Sequence, residues 1–153
     1  DYPYYYYYRA FTLESLDLNE EALAEAREAL DIAPDYADIY QLAGKIYAKK
    51  NDFEKAFEHF RIAAILSPYN KDVRYNLAQS YFDMKEYDGA VKQYQVINAL
   101  WPNSARTYFL LARTYTRMMK YGEAVENLQR AHSLDPRDAY DILAVGDVAF
   151  EQK

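Results

Sequence analysis

The sequence has no cysteine, four glycines, two histidines and one tryptophan in 153 residues. Without cysteine there is no disulfide, no thiol nucleophile and no thiolate metal site. The four glycines are scattered, so no glycine-rich loop can cradle a phosphate. His59 and His132 lie far apart, and no zinc-helix or calcium-loop spacing surrounds either. His132, Ser133 and Asp135 are neighbours only in sequence, whereas a catalytic relay must be assembled in space. Both histidines read as exposed helix-surface residues. Glu20, Glu21, Glu25 and Glu28 read as a solvated helix face. No 18-residue apolar run is present, so no segment reads as a membrane span. Positive charge is in short supply: 18 Lys and Arg against 24 Asp and Glu leave a net charge of −6. That balance excludes bulk binding to nucleic acid or anionic lipid. The chain therefore reads as non-catalytic, with no cofactor and no metal, and nothing in it fixes a compartment.

What is present is a globular composition, 51% apolar and 27% charged. Tyrosine is abundant, with 18 copies, and Tyr4 to Tyr8 are consecutive. The chain starts at Asp1, not Met, and reads as part of a longer or processed polypeptide. Four of the five prolines, Pro34, Pro68, Pro102 and Pro136, stand 34 residues apart. A fixed interval of this size marks a structural repeat. Other positions keep the same period: Ala22, Ala56, Ala90 and Ala124; Ala29, Ala63, Ile97 and Ala131; Tyr47, Tyr81 and Tyr115. Small residues at Gly44, Ala78, Ala112 and Gly146 suit close helix approach. The large side chains of Tyr47, Phe60, Tyr81, Tyr94 and Tyr115 suit filling between helix pairs. Proline ends helices, because it lacks an N–H and restricts the residue before it. The pattern predicts nine helices, over about 3–16, 20–32, 37–49, 53–66, 71–84, 87–100, 105–118, 121–134 and 139–151. Asn19, Asp35 and Asn70 are candidate caps. Asp88 with Lys92, and Glu126 with Arg130, are spaced to pair along a helix.

One unit reads Tyr40, Ala43, Gly44, Tyr47, Ala56, Phe60, Ala63, Pro68, and the next reads Arg74, Leu77, Ala78, Tyr81, Ala90, Tyr94, Ile97, Pro102. A third reads Tyr108, Leu111, Ala112, Tyr115, Ala124, Leu128, Ala131, Pro136. The pattern resembles the tetratricopeptide repeat. The first unit departs from it, with Arg9 and Leu13 where Leu and Tyr are usual. The resemblance implies an all-α solenoid of antiparallel helix hairpins, about four and a half repeats in a right-handed superhelix. As a single domain over 1–153, it would comprise repeats at about 3–36, 37–70, 71–104 and 105–138, then a partial repeat or capping helix at 139–153.

In that family the first helix of each repeat lines a concave face. Carried onto this chain, the lining is Gln41, Lys45 and Lys49; then Tyr75, Asn76 and Gln79; then Arg106, Phe109, Arg113 and Arg117. Asp38, Asp72 and Asp83 share these helices. Arg106, Arg113 and Arg117 share one helix face, and arginine forks suit carboxylates, so an acidic partner segment is expected there. Phe109 and Tyr75 would add apolar anchors. The dicarboxylate clamp of some family co-chaperones is not matched: its positions here hold Gln41, Lys45, Asn76, Arg106 and Leu110, of which only Asn76 and the basic Arg106 fit. At the ends, Tyr4, Tyr5, Tyr7 and Tyr8, with Ile142, Leu143 and Phe150, offer apolar surface. Five consecutive tyrosines wrap a helix, so one packed face cannot bury them all. The expected function is a non-catalytic protein-interaction scaffold that binds a protein or peptide segment on its concave face or holds a multiprotein assembly together, with neither nucleic-acid binding nor membrane insertion. The alternative is a structural subunit that self-associates through its apolar ends into an oligomer or filament.

Overall fold

The computed structural model describes residues 2–136. Among them are eight helices and no strand: α1 (Pro3–Ser15), α2 (Asn19–Ile32), α3 (Ala37–Lys49), α4 (Phe53–Leu66), α5 (Lys71–Asp83), α6 (Tyr87–Leu100), α7 (Ala105–Arg117) and α8 (Tyr121–Leu134). Each predicted boundary up to residue 134 agrees to within one residue. The ninth helix, with Ile142, Leu143 and Phe150, lies outside the described residues. Pro34, Pro68, Pro102 and Pro136 each follow the last helical residue by two, where a missing N–H costs the helix nothing.

The chain divides into two compact units, residues 1–84 and 85–153. In the first, α1 pairs with α2 and α3 with α4, and α5 packs against α4 and α3. In the second, α6 packs on α7, and α7 pairs with α8. The core of the first hairpin and its junction to α3 is built on alanines. Ala10, Ala22, Ala26 and Ala29 let the backbones close in, while Leu23, Ile39, Leu42 and Ile46 fill the space. A second cluster of Ala56, Phe60, Ala63, Ala64, Val73 and Leu77 joins α4 to α5. Ala22, Ala56, Ala90 and Ala124, one per period, are at most 1% exposed.

The turns repeat as strictly as the prolines. Asp17, Asn51, Lys85 and Met119 all take positive φ, from 59° to 63°, in the turns that follow α1, α3, α5 and α7. The N–H donors of Asp17 and Leu18 bond to the carbonyls of Glu14 and Leu13, and Asn51 with Asp52, and Met119 with Lys120, repeat the pattern. This double bond is the Schellman ending, which satisfies the last helical carbonyls.

Capping differs in part from expectation. Asn70 caps α5 by accepting from Asp72 and Val73 N–H. Asn19 and Asp35 do not cap. Asn19 is the first residue of α2 and donates to Asp17 Oδ1 (2.9 Å), and Tyr36 holds the α3 cap position. The side chains of Asp52 and Ser104 cap α4 and α7 instead. Ion pairs also run between helices: Glu14 pairs with Lys49, Glu20 with Lys50, and Arg9 with Glu25 at 3.0 Å. Arg130 lies over the Tyr108 ring at 6.0 Å.

Candidate functional site

Within the first unit, α1, α3 and α5 line a groove of about 250 Å³. Its lining is Glu14 from α1, Lys45, Ala48 and Lys49 from α3, Phe60 from α4, and Asn76, Gln79, Ser80 and Asp83 from α5. Each side chain arrives there by helical periodicity. Lys45, Ala48 and Lys49 are three and four apart, as are Asn76, Gln79, Ser80 and Asp83. Phe60, 4% exposed, forms the floor where α4 meets Gly44 of α3. Ser80 is buried and donates to Leu77 O (2.8 Å), so its hydroxyl adds no free donor.

The polar groups divide into engaged and open ones. Lys49 is taken by Glu14, whose side chain is only 15% exposed. Gln79 donates to Asp83 Oδ1 at 2.7 Å. Lys45 is exposed and, among the described residues, has no ion-pair partner. Asn76 Nδ2 is buried and has no hydrogen-bond acceptor. A buried amide donor left unpaired costs about 1–3 kcal/mol, so an incoming acceptor gains that much. The groove thus has a spare cation and a spare donor, both demanding an acceptor.

The structure brings together four of the sequence-predicted residues, Lys45, Lys49, Asn76 and Gln79. Gln41 lies on α3, half-buried and outside the lining. Tyr75 corrects the expectation of an exposed anchor. It is 5% exposed, because its helix turns it inward, and Lys71 lies 6.0 Å above its ring. Glu14 was missed. Its groove role depends on α1 packing beside α3, and the atypical first unit hides that register. Arg106, Phe109, Arg113 and Arg117 lie on α7, in the second unit. Arg106 and Arg117 are exposed, Phe109 and Arg113 half-buried, and Arg106 and Arg113 already have partners.

Of the tyrosine run, Tyr4, Tyr5 and Tyr8 are exposed. Tyr7 corrects the expectation of an end contact. It turns inward and packs on Tyr36 with ring centroids 5.4 Å apart. Burial pushes the Tyr36 phenol up to about 12, with Asp38 acting in the same sense. His132 is exposed, as expected. His59 is not: it is half-buried between the rings of Tyr40 and Tyr47, 6.1 and 5.1 Å away. Its Nδ1 lies 2.8 Å from Lys55 O and donates to it, since a carbonyl only accepts. Among the described residues no carboxylate or histidine cluster could hold a metal ion, and no helix is long and apolar enough to cross a membrane.

Residues 12–71 match the family model described as tetratricopeptide repeat, and residues 62–131 match that of anaphase-promoting complex, cyclosome, subunit 3. No curated protein sequence matches the chain significantly. Solved structures do. A crystal structure of MamA superposes with a TM-score of 0.80 at 20% identity, over 88% of this chain and 79% of that one. The APC/C hetero-tetramer Cut9-Hcn1 gives 0.77 at 19% identity, over 92% of this chain but only 28% of that one. At such identities the likeness is one of fold.

Proposed function

The chain is built of tetratricopeptide repeats, and from that premise we propose that it is a non-catalytic protein-interaction scaffold holding an extended acidic partner segment in the α1–α3–α5 groove. Such repeats serve protein–protein interaction, and the family does not by itself choose the partner. One observation carries the choice: Lys45 and Asn76 Nδ2 are unspent donors in one lining. A carboxylate accepts from both. A volume of about 250 Å³ lies below the range of drug-sized pockets, about 300–1,000 Å³, and suits one or two side chains of a bound peptide. Glu14 is paired with Lys49, so it repels an incoming acid less than a free carboxylate would. Phe60 gives the groove an apolar floor for the rest of the segment.

The test is binding of a fluorescent Asp/Glu-rich peptide, followed by anisotropy. Lys45→Glu is expected to weaken it at least about tenfold, equivalent to about 1.4 kcal/mol. Arg61→Glu, an exposed change on α4, serves as the control and leaves affinity within about twofold. Equal affinity for Lys45→Glu and the parent chain would discard the groove as the acidic site.

A further inference from the structure

Lys45 and Lys49 both line the groove and stand one turn apart on α3, about 6 Å along the axis at 1.5 Å per residue. On an extended segment, side chains of one face recur every second residue, about 6.6 Å on. By spacing alone, the two lysines therefore match two carboxylates separated by one residue. A run of acids would then bind better than a single acid.

The structure gives the two lysines different situations. Lys45 is exposed and has no ion-pair partner among the described residues, whereas Lys49 is paired with Glu14 of α1. α3 has α1 packed on one side and α5 on the other, so this pair sits between neighbours and not at an end of the array. The acid is the more deeply set partner: the Glu14 side chain is 15% exposed and that of Lys49 is 49%. An outside carboxylate that took Lys49 would strand Glu14, and a mostly buried carboxylate without its cation is costly. It would also compete with a carboxylate that the fold holds in place at high effective concentration. The neighbouring pair shows the contrast. Glu20, which pairs with Lys50, is 76% exposed, and neither residue lines the groove. Glu14 thus stands inside the groove where the second acid of a ligand would stand.

We infer that Glu14 is the specificity residue of this groove. It substitutes for a second ligand carboxylate at Lys49 and limits the partner segment to one carboxylate, held by Lys45 and Asn76. A run of acids then gains nothing beyond the chance of offering more than one acid to one site. This rests on the reading of the groove as an acid site, and the two are tested apart.

The probes are two labelled peptides of neutral polar residues, one with a single Glu and one with Glu-X-Glu, which meets the two lysines in either chain direction. Anisotropy gives the ratio of their affinities. In the parent chain the ratio should be about twofold, the statistical factor for two acids at one site. Glu14→Gln keeps the side-chain size and frees Lys49. It should raise the ratio to about tenfold, a further factor of about five being the upper end for a pair that water reaches. Glu14→Gln/Lys49→Gln removes both partners and should return the ratio to about twofold. Glu20→Gln removes the same charge outside the groove and should leave the ratio at about twofold. A parent chain that binds neither peptide, or binds both undiminished as Lys45→Glu, would sink the acid site and this inference with it. Single-Glu binding that Lys45→Glu weakens, with a ratio that Glu14→Gln leaves at about twofold because Lys49 turns to Asp83, would overturn the inference alone. So would a parent chain that already prefers Glu-X-Glu about tenfold, a result that needs no substitution to read.

Discussion

Gly44 is a position where a single methyl group decides the packing. A Cβ there would sit 2.7 Å from Phe60 Cε1 and 2.8 Å from Cδ1, inside van der Waals contact. Phe60 is 4% exposed and has little room to yield. Gly44→Ala gains about 1 kcal/mol in helix propensity, but the overlap costs about 1–3 kcal/mol. We expect a net loss of about 1 kcal/mol in urea denaturation. Gly122→Ala, where nothing lies within 4 Å of the new carbon, should instead gain about 0.5 kcal/mol. A Gly44→Ala chain as stable as its parent would show that the Phe60 ring shifts freely. The need for a small residue at Gly44 was readable from the 34-residue register it shares with Ala78, Ala112 and Gly146. The setting of His59 was not, because the two rings that enclose it belong to another helix.

At the scale of the helix, the period is visible twice, once in the prolines and once in the turns. The prolines announce themselves by residue type. The turns do not, since Asp17, Asn51, Lys85 and Met119 share a conformation and little chemistry. The left-handed conformation costs an ordinary side chain about 1–2 kcal/mol, and Asp and Asn tolerate it best. Lys85 and Met119 therefore carry strain that glycine would relieve. Lys85→Gly should stabilise the chain by about 0.5–1 kcal/mol after the entropy of glycine is set against it. Chemical denaturation reads this as a higher midpoint with unchanged slope. A lower midpoint would mean that the Lys85 side chain contributes more than its backbone loses. Helix ends were legible to within a residue, because proline and the apolar period mark them. The caps at Asp52 and Ser104 were not, since capping depends on where the preceding turn releases the chain.

At the scale of the whole molecule, the hairpins of the first unit bury their apolar sides against their neighbours. α2 covers Ile39, Leu42 and Ile46 of α3, and α4 covers Val73 and Leu77 of α5. Stability is then close to a sum of repeat and neighbour terms. Deleting residues 37–70, one full period, should leave a helical and cooperative chain, because α2 then meets α5 in the register that α4 held. Loss of one repeat and one interface should lower the thermal midpoint by about 10 °C or more, about 2–3 kcal/mol. Acidic-peptide binding should vanish with Lys45. A deletion that leaves the midpoint unchanged would contradict this mutual support. The sequence alone determined the all-α architecture and the helix ends, because periodicity and residue type are local and one-dimensional. The resemblance to the repeat family, its register carried onto this chain, pointed to Lys45, Lys49, Asn76 and Gln79. Only the tertiary structure decided that Glu14 neutralises Lys49 while Lys45 stays open, and that Tyr75 and Tyr7 turn inward. Those outcomes depend on which helix lies across from which, and packing in three dimensions settles that.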